Sequence, residues 1–320
     1  MTFRSIIGNA SRNKSRGIPL PLQNWKESFH KNRMGCFLVL PAGLLLILVM
    51  VYPLFTLARM SLYDIEPLRH VGEYFIGLKN YLKILQDEEL LHALLQTVIW
   101  TFGSVILQFI LGITAALILN ESFRTRSLAR ALLLIPWAMP SVAGALSWKW
   151  MYHAQYGLIN YILMSLHLVS QNVNWLGDAN LATLAAIITN AWRGFPFMML
   201  MLLAGIQNIS KELYEAAAVD GATFFTQVRY IVMPLLTPVI FIVTLLSGIW
   251  TFNNFTYIYI LTGGGPAGKT EILVTYVYKN GFEYFHFGYA AALSVVLFII
   301  VFLMSLGYVR LSSRDGSSQS

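Results

Sequence analysis

The sequence predicts an all-α, polytopic membrane protein with about six transmembrane helices, and three observations carry that reading. Of 320 residues, 57% are hydrophobic and only 12% charged, with a mean hydropathy of +0.61. A soluble domain normally carries about 25% charged residues, so much of this surface must face lipid. Long apolar runs recur along the chain, each approaching or exceeding the roughly 20 residues a bilayer core requires. Most Lys and Arg residues sit outside those runs, where a bilayer would place them. Unpaired backbone groups are too costly in hydrocarbon for an open sheet, so every span is read as a helix.

The runs fall at residues 37–57, 93–119, 131–151, 181–204, 235–261 and 289–311. The first follows a basic tail (Arg4, Arg12, Lys14, Arg16, Lys26, Lys31, Arg33). That is too far along the chain for the apolar stretch of a signal peptide, and none is expected. Residues 1–36 are read as a cytoplasmic tail, 37–311 as the transmembrane domain, and polar 312–320 as a second, disordered cytoplasmic tail. The prolines at 136 and 140, and at 234 and 238, mark span ends or kinks, because proline removes a ladder hydrogen bond.

Orientation follows from the basic residues. One set comprises the N-terminal tail, Arg124, Arg126 and Arg130, then Lys211 and Arg229, then Arg310 and Arg314. On the other side Arg59, Arg69, Lys79, Lys83, Lys269 and Lys279 are diluted by Asp64, Glu66, Glu73, Asp87, Glu88 and Glu89. The segment 153–180 has no Lys or Arg at all. Both termini are therefore expected in the cytoplasm. The net charge of +7 forms no basic patch with interleaved aromatics, which argues against nucleic acid. The single cysteine, Cys36, excludes an intrachain disulfide and belongs to no metal-ligand cluster.

The most informative segment is the loop at 208–234, on the basic side of the membrane. Ser210 can cap a short helix with Glu212 in its first turn, and Gly221 can end it in a left-handed conformation. A second short helix then carries Phe224, Phe225, Val228 and Ile231 at helical spacing, before Pro234 begins the next span. On physical grounds alone this is either an amphipathic hairpin lying on lipid headgroups or a surface that couples to a partner.

Glu215, Ala216, Ala217, Gly221, Ile231 and Pro234 resemble the signature of ABC importer permeases: Glu-Ala-Ala, three residues, Gly, nine residues, Ile-x-Leu-Pro. Met233 stands where Leu is usual, and Asp220 and Ala222 complete the form found in sugar importers. The resemblance runs from the first span to Leu311 and is nearest to maltose-type sugar permeases. It implies a type I ABC importer permease fold, with the short helix docked in a groove of a separate ATP-hydrolysing subunit. Glu215 would pair with a basic group there, and Gly221 would set the turn. The chain would be half of a permease heterodimer, joined by two ATP-binding subunits and an extracytoplasmic solute-binding protein. No catalytic residue or cofactor is expected on this chain, ATP and Mg being held by the partner.

Residues 263–270 also satisfy the phosphate-binding pattern G-x-x-x-x-G-K-[ST], and 257–261 could pass for the preceding strand. That motif needs a strand-to-helix turn in a soluble α/β domain, for which no loop here has room. The resemblance accounts for the same residues as an outer-loop turn, matched at Thr262, Gly264, Gly265, Pro266 and Thr270.

Polar residues inside spans are expensive and usually face a cavity or a partner helix. In the fourth span Asn190, Arg193, Gly194 and Phe197 share one helical face. In the fifth, Ser247, Thr251 and Asn254 do the same. Such groups either glue helices together or offer a sugar its hydrogen-bond partners and a flat apolar face. By resemblance, Asn190, Gly194, Phe197, Ser247, Thr251 and Asn254 match the solute site of maltose-type permeases. Phe197 and Thr251 depart from the tyrosine and amide found there. Arg193 would face the solute, favouring an anionic one, or only the interhelical space. Lys149, flanked by Trp148 and Trp150, is expected to snorkel to the interface. An ion-coupled carrier would want a buried carboxylate, and these spans contain neither Asp nor Glu. An enzyme would want a clustered site, whereas His153, His167 and His286 are scattered in loops.

Overall fold

A computed structural model describes residues 33–316, so most of the basic tail and residues 317–320 lie outside the described residues. The chain divides into two units, Met1–Thr56 and Leu57–Ser320. α1 (Arg33–Leu46) passes through a π-helical turn, Ile47–Val51, into α2 (Tyr52–Met60), whose last residues belong to the second unit. The Tyr52 N–H reaches back five residues to the Ile47 carbonyl. This wider turn makes room for Pro53, whose ring would otherwise crowd the carbonyl four residues before it.

In the second unit two short antiparallel strands follow, β1 (Tyr63–Asp64) and β2 (Tyr74–Phe75), with Tyr63 opposite Phe75. Helices follow: α3 (Lys79–Ile84), α4 (Glu88–Asn120), α5 (Arg126–Ala138), α6 (Ser141–Met151), α7 (Leu158–Ser165) and α8 (Ala179–Gln207). Next come α9 (Lys211–Val219), α10 (Phe224–Gln227), α11 (Met233–Phe252), α12 (Phe255–Leu261), α13 (Leu273–Tyr278) and α14 (Phe287–Gly316). Five helices are long and apolar enough to cross a bilayer, and α5 with α6 makes a sixth crossing if taken as one broken span. The all-α reading with about six spans therefore holds.

Four details differ from the sequence expectation. The run at 131–151 is not one helix, because α5 and α6 meet at 95°. Met139 is extended there (φ −70°, ψ 135°), as a residue before proline prefers, and Pro140 supplies no donor to continue the ladder. The run at 235–261 ends at Phe252, where Asn253 bonds its amide to the Ile249 carbonyl and Asn254 restarts the chain as the cap of α12. The second short helix of the 208–234 loop is not separate, since α10 runs through a π turn, Val228–Val232, straight into α11. The Met233 N–H bonds the Val228 carbonyl five residues back, so Pro234 is accommodated as Pro53 is. Finally, the expected disordered tail at 312–320 begins as helix, because α14 continues to Gly316.

The pairing of α4 with α8 is the most extensive helix contact. Buried alanines at 182, 185, 186 and 191 line α8, and small residues let helix backbones approach closely in lipid. A Cβ on Gly112 would lie 2.8 Å from the Met198 side chain and 3.1 Å from the Met199 backbone nitrogen. Met198, Met199, Leu202 and Ile206 continue this seam into a core shared with Val232, Leu236 and Val243.

Asp87 ties the opposite end of α4 to the C-terminal helices. One carboxylate oxygen caps α4 by accepting from the Leu90 N–H at 3.1 Å, and the other accepts from the hydroxyls of Tyr276 (2.7 Å) and Tyr289. Burial alone would raise this carboxyl, but the Tyr289 and Tyr276 hydroxyls and the Leu90 and Glu89 backbone outweigh it and hold it below its ordinary 3.8.

Two outcomes follow. Gly112→Val should push α4 from α8, costing about 1–3 kcal/mol and lowering the melting temperature of the detergent-purified protein by several degrees. An unchanged melting temperature would contradict the close packing. The stability advantage of wild type over Asp87→Asn should be complete above pH 3.8 and disappear as pH falls through the lower native value. A pH-independent difference would show that the carboxylate charge is irrelevant.

Candidate functional site

Local chemistry builds α9 as the sequence suggested. Ser210 Oγ accepts from the Glu212 N–H at 3.3 Å. At the other end Gly221 takes φ +79°, its N–H bonding the Ala218 carbonyl (3.1 Å) while the Ala222 N–H reaches Ala217 (2.8 Å). This pair of bonds satisfies the last carbonyls of α9 and needs a residue without Cβ strain at the turn. Thr223 then caps α10 by accepting from the Thr226 N–H.

Tyr214 turns inward against the α4–α8–α11 core, where burial raises its phenol. Glu215, Ala216, Asp220 and Gly221 face outward, and Ala217 and Ala222 are half-buried. Val219 (88% exposed) and Phe225 (80%) stand free beside them, together with Leu213 and Phe224. Glu215 also borders a cleft of 740 Å³ between α9 and the ends of α4 and α8. Met233 and Pro234 lie beyond the π turn, at the start of α11.

The two polar rows meet. Asn190, Arg193, Gly194 and Phe197 of α8, Ser247 and Thr251 of α11, and Asn254 at the break before α12 all line one cavity. Three residues that the sequence reading missed join them: Gln108 of α4, Trp137 of α5 and Trp250 of α11. Gln108 carried a signal, being an amide in the middle of an apolar run, but the tryptophans resembled ordinary interfacial anchors.

The rows join helices and also line a cavity. Asn190 donates to Thr251 Oγ1 (3.3 Å) and accepts from Asn254 Nδ2 (3.2 Å), so the rows join α8 to α11 and also face the cavity. Gln108 Nε2 lies 3.5 Å from the Asn190 carbonyl, and Trp100 Nε1 donates to the Thr251 carbonyl at 3.1 Å. Gly194 makes room for Gln108, since a Cβ there would lie 2.5 Å from the Gln108 amide carbon. Phe197 packs on Trp250 (4.8 Å between ring centres) and neighbours Trp137 (6.3 Å), giving an aromatic wall. Arg193 faces the same space, with its Nε buried and without a hydrogen-bond partner. The cavity measures only 60 Å³, room for about two waters.

Contacts add detail at two other places. Lys149 does not merely snorkel, because its Nζ donates to the Ile260 carbonyl at 2.7 Å, in the last turn of α12. The segment before 263–270 is helix α12 rather than the strand a phosphate-binding loop requires. The turn itself is held by Thr270, which meets Thr262 Oγ1 (2.7 Å) and donates to the Gly265 carbonyl (2.6 Å).

Residues 108–314 match the family described as binding-protein-dependent transport system inner membrane component. The chain is similar to the trehalose/maltose transport system permease protein MalF of Thermococcus litoralis, 38% identical over 288 residues, covering 89% of this chain and 95% of that one. It is 34% identical over 278 residues to the sulfoquinovosyl glycerol transport system permease protein SmoG of Agrobacterium fabrum, covering 87% and 90% respectively. Its fold is similar to that in a bacterial alginate ABC transporter crystallised with an alginate pentasaccharide-bound periplasmic protein, with a TM-score of 0.76. That likeness covers 92% of this chain and 98% of the other at 20% identity, and speaks to fold alone. The chain therefore belongs to the inner-membrane components of binding-protein-dependent transport systems, as a multi-pass, non-catalytic permease subunit of an ATP-binding-cassette importer.

Proposed function

We propose that this chain forms one wall of the pathway by which a sugar or sugar-like solute enters the cell. The observation that carries this is the convergence of amides, hydroxyls and an aromatic wall from α4, α5, α8 and α11 on one cavity. Amides and hydroxyls exchange hydrogen bonds with sugar hydroxyls, and flat aromatic faces receive the ring C–H groups. Relatives named for trehalose/maltose and sulfoquinovosyl glycerol transport support a sugar-like solute.

A 60 Å³ cavity is far below the roughly 300–1,000 Å³ of a ligand pocket. A second permease subunit would complete it, and a heterodimer fits that need. The exposed face of α9 with Phe224 and Phe225 would dock on one of two ATP-binding subunits, which hold ATP and Mg. Glu215, Ala216, Ala217, Asp220, Gly221 and Ala222 would form that contact, with Met233 and Pro234 setting the start of α11 behind it. A solute-binding protein on the opposite face would deliver the solute. Both termini then lie in the cytoplasm, on the side of α9. ATP-driven closure of the partner would pull α9 and rock the permease pair between its two access states.

Purification of the chain from its native membranes tests the docking surface. An ATPase subunit should accompany wild type, and Glu215→Ala and Gly221→Val should weaken its retention. Valine at a left-handed position costs about 1–2 kcal/mol or more and frays the end of α9. Full retention in both variants would leave α9 as an ordinary surface helix. On the pathway side, Trp250→Ala should lower ATP-dependent sugar uptake at least about tenfold, the loss of one well-placed aromatic contact, while the ATPase subunit stays bound. Unchanged uptake would remove the aromatic wall from the pathway.

A further inference from the structure

Arg193 sits in this cavity with a charge that nothing nearby neutralises. Among the described residues it takes part in no ion pair, and none of the residues lining the cavity is acidic. Its side chain interacts with the Tyr257 hydroxyl, a hydrogen-bonding group rather than a carboxylate. Elsewhere the chain compensates buried charge internally, for Glu271, 7% exposed, pairs with Lys279. A cation held within a membrane domain is costly unless it meets an anion or water, and such residues mark ion and substrate paths. Arg193 also follows Asn190 by three residues on α8, so its guanidinium shares a face with the amide row and lies near the aromatic wall.

We infer that the solute carries an anionic substituent, a carboxylate or sulfonate on a sugar ring, and that Arg193 receives it. The planar guanidinium fork matches a two-oxygen anion in a way that the neutral lining groups do not. Gln108, Asn190 and Asn254 then hold the ring hydroxyls, and Phe197 and Trp250 hold its apolar face. This inference rests on the sugar-importer reading and names the substrate class for the same cavity.

The test uses cells carrying the complete transporter, so that the binding protein is the same for every variant. Maltose, cellobiose and lactose are each offered beside the corresponding uronic acid, and ATP-dependent uptake is measured. Wild type should import an acidic form at least about tenfold faster than its neutral partner, as expected of a hydrogen-bonded charge pair. R193Q should abolish that preference and R193K, which keeps the charge without the fork, should keep only part of it, with both variants present in the membrane at wild-type levels. Preference for the neutral sugar in wild type, unaltered by R193Q, overturns the inference and leaves the sugar-importer reading standing. Release of the second permease subunit by R193Q, with sugar preference unchanged, also overturns it, because a partner carboxylate would then be the neutralising group. Absence of ATP-dependent uptake of every sugar in the panel contradicts the sugar-like solute of the proposed function, and the anionic solute with it.

Discussion

Where α4 crosses α8, glycine lets each helix take the other's side chains against its backbone. Gly112 receives Met198, and Gly194 receives Gln108. In water this proximity would be driven by the hydrophobic effect, but lipid tails are as apolar as leucine and give no such drive. Close van der Waals contact and interhelical hydrogen bonds must suffice, and both depend on the missing Cβ atoms. Once α4 and α8 are seated, Trp100 and Asn190 reach α11 through Thr251, and the polar groups of three helices become one network.

That network has a dual character that follows from its setting. A buried amide in a membrane domain must be hydrogen-bonded, so Asn190 spends both ends of its side chain on Thr251 and Asn254. Satisfying the amide internally fixes the shape of the cavity and leaves Arg193 as its least satisfied member. At the other end of α8 the chain makes the opposite choice. Tyr214 anchors α9 to the core, while Val219 and Phe225 remain in the open, an arrangement suited to receiving a partner.

Much of this was legible in the sequence where local chemistry decides the outcome. Ser210 and Gly221 bound α9 because a hydroxyl cap and a left-handed turn are local requirements. The rows at 190–197 and 247–254 stood out because polar side chains contrast with an apolar run. Proline was less readable. Pro41, Pro136, Pro196 and Pro238 all lie inside helices, while Pro140 marks a 95° bend. Residue type alone does not encode whether a helix continues past its proline or restarts after it. Asn253 and Asn254 broke the fifth run for a similar reason, through side-chain bonds that compete with the helix ladder. Trp137 and Trp250 were missed because an intramembrane tryptophan reads as an interface anchor until its neighbours in space are known.

Whether the cavity lies on a pathway open alternately to the two sides is the central question, and a single thiol addresses it directly. In the complete transporter carrying Cys36→Ser, the thiol introduced by Ser247→Cys is exposed to a membrane-impermeant maleimide from each face in turn. Labelling should switch from one face to the other between the nucleotide-free and ATP-trapped states. Labelling from one face in both states, or from neither, would contradict a translocation role for the cavity built on α8 and α11.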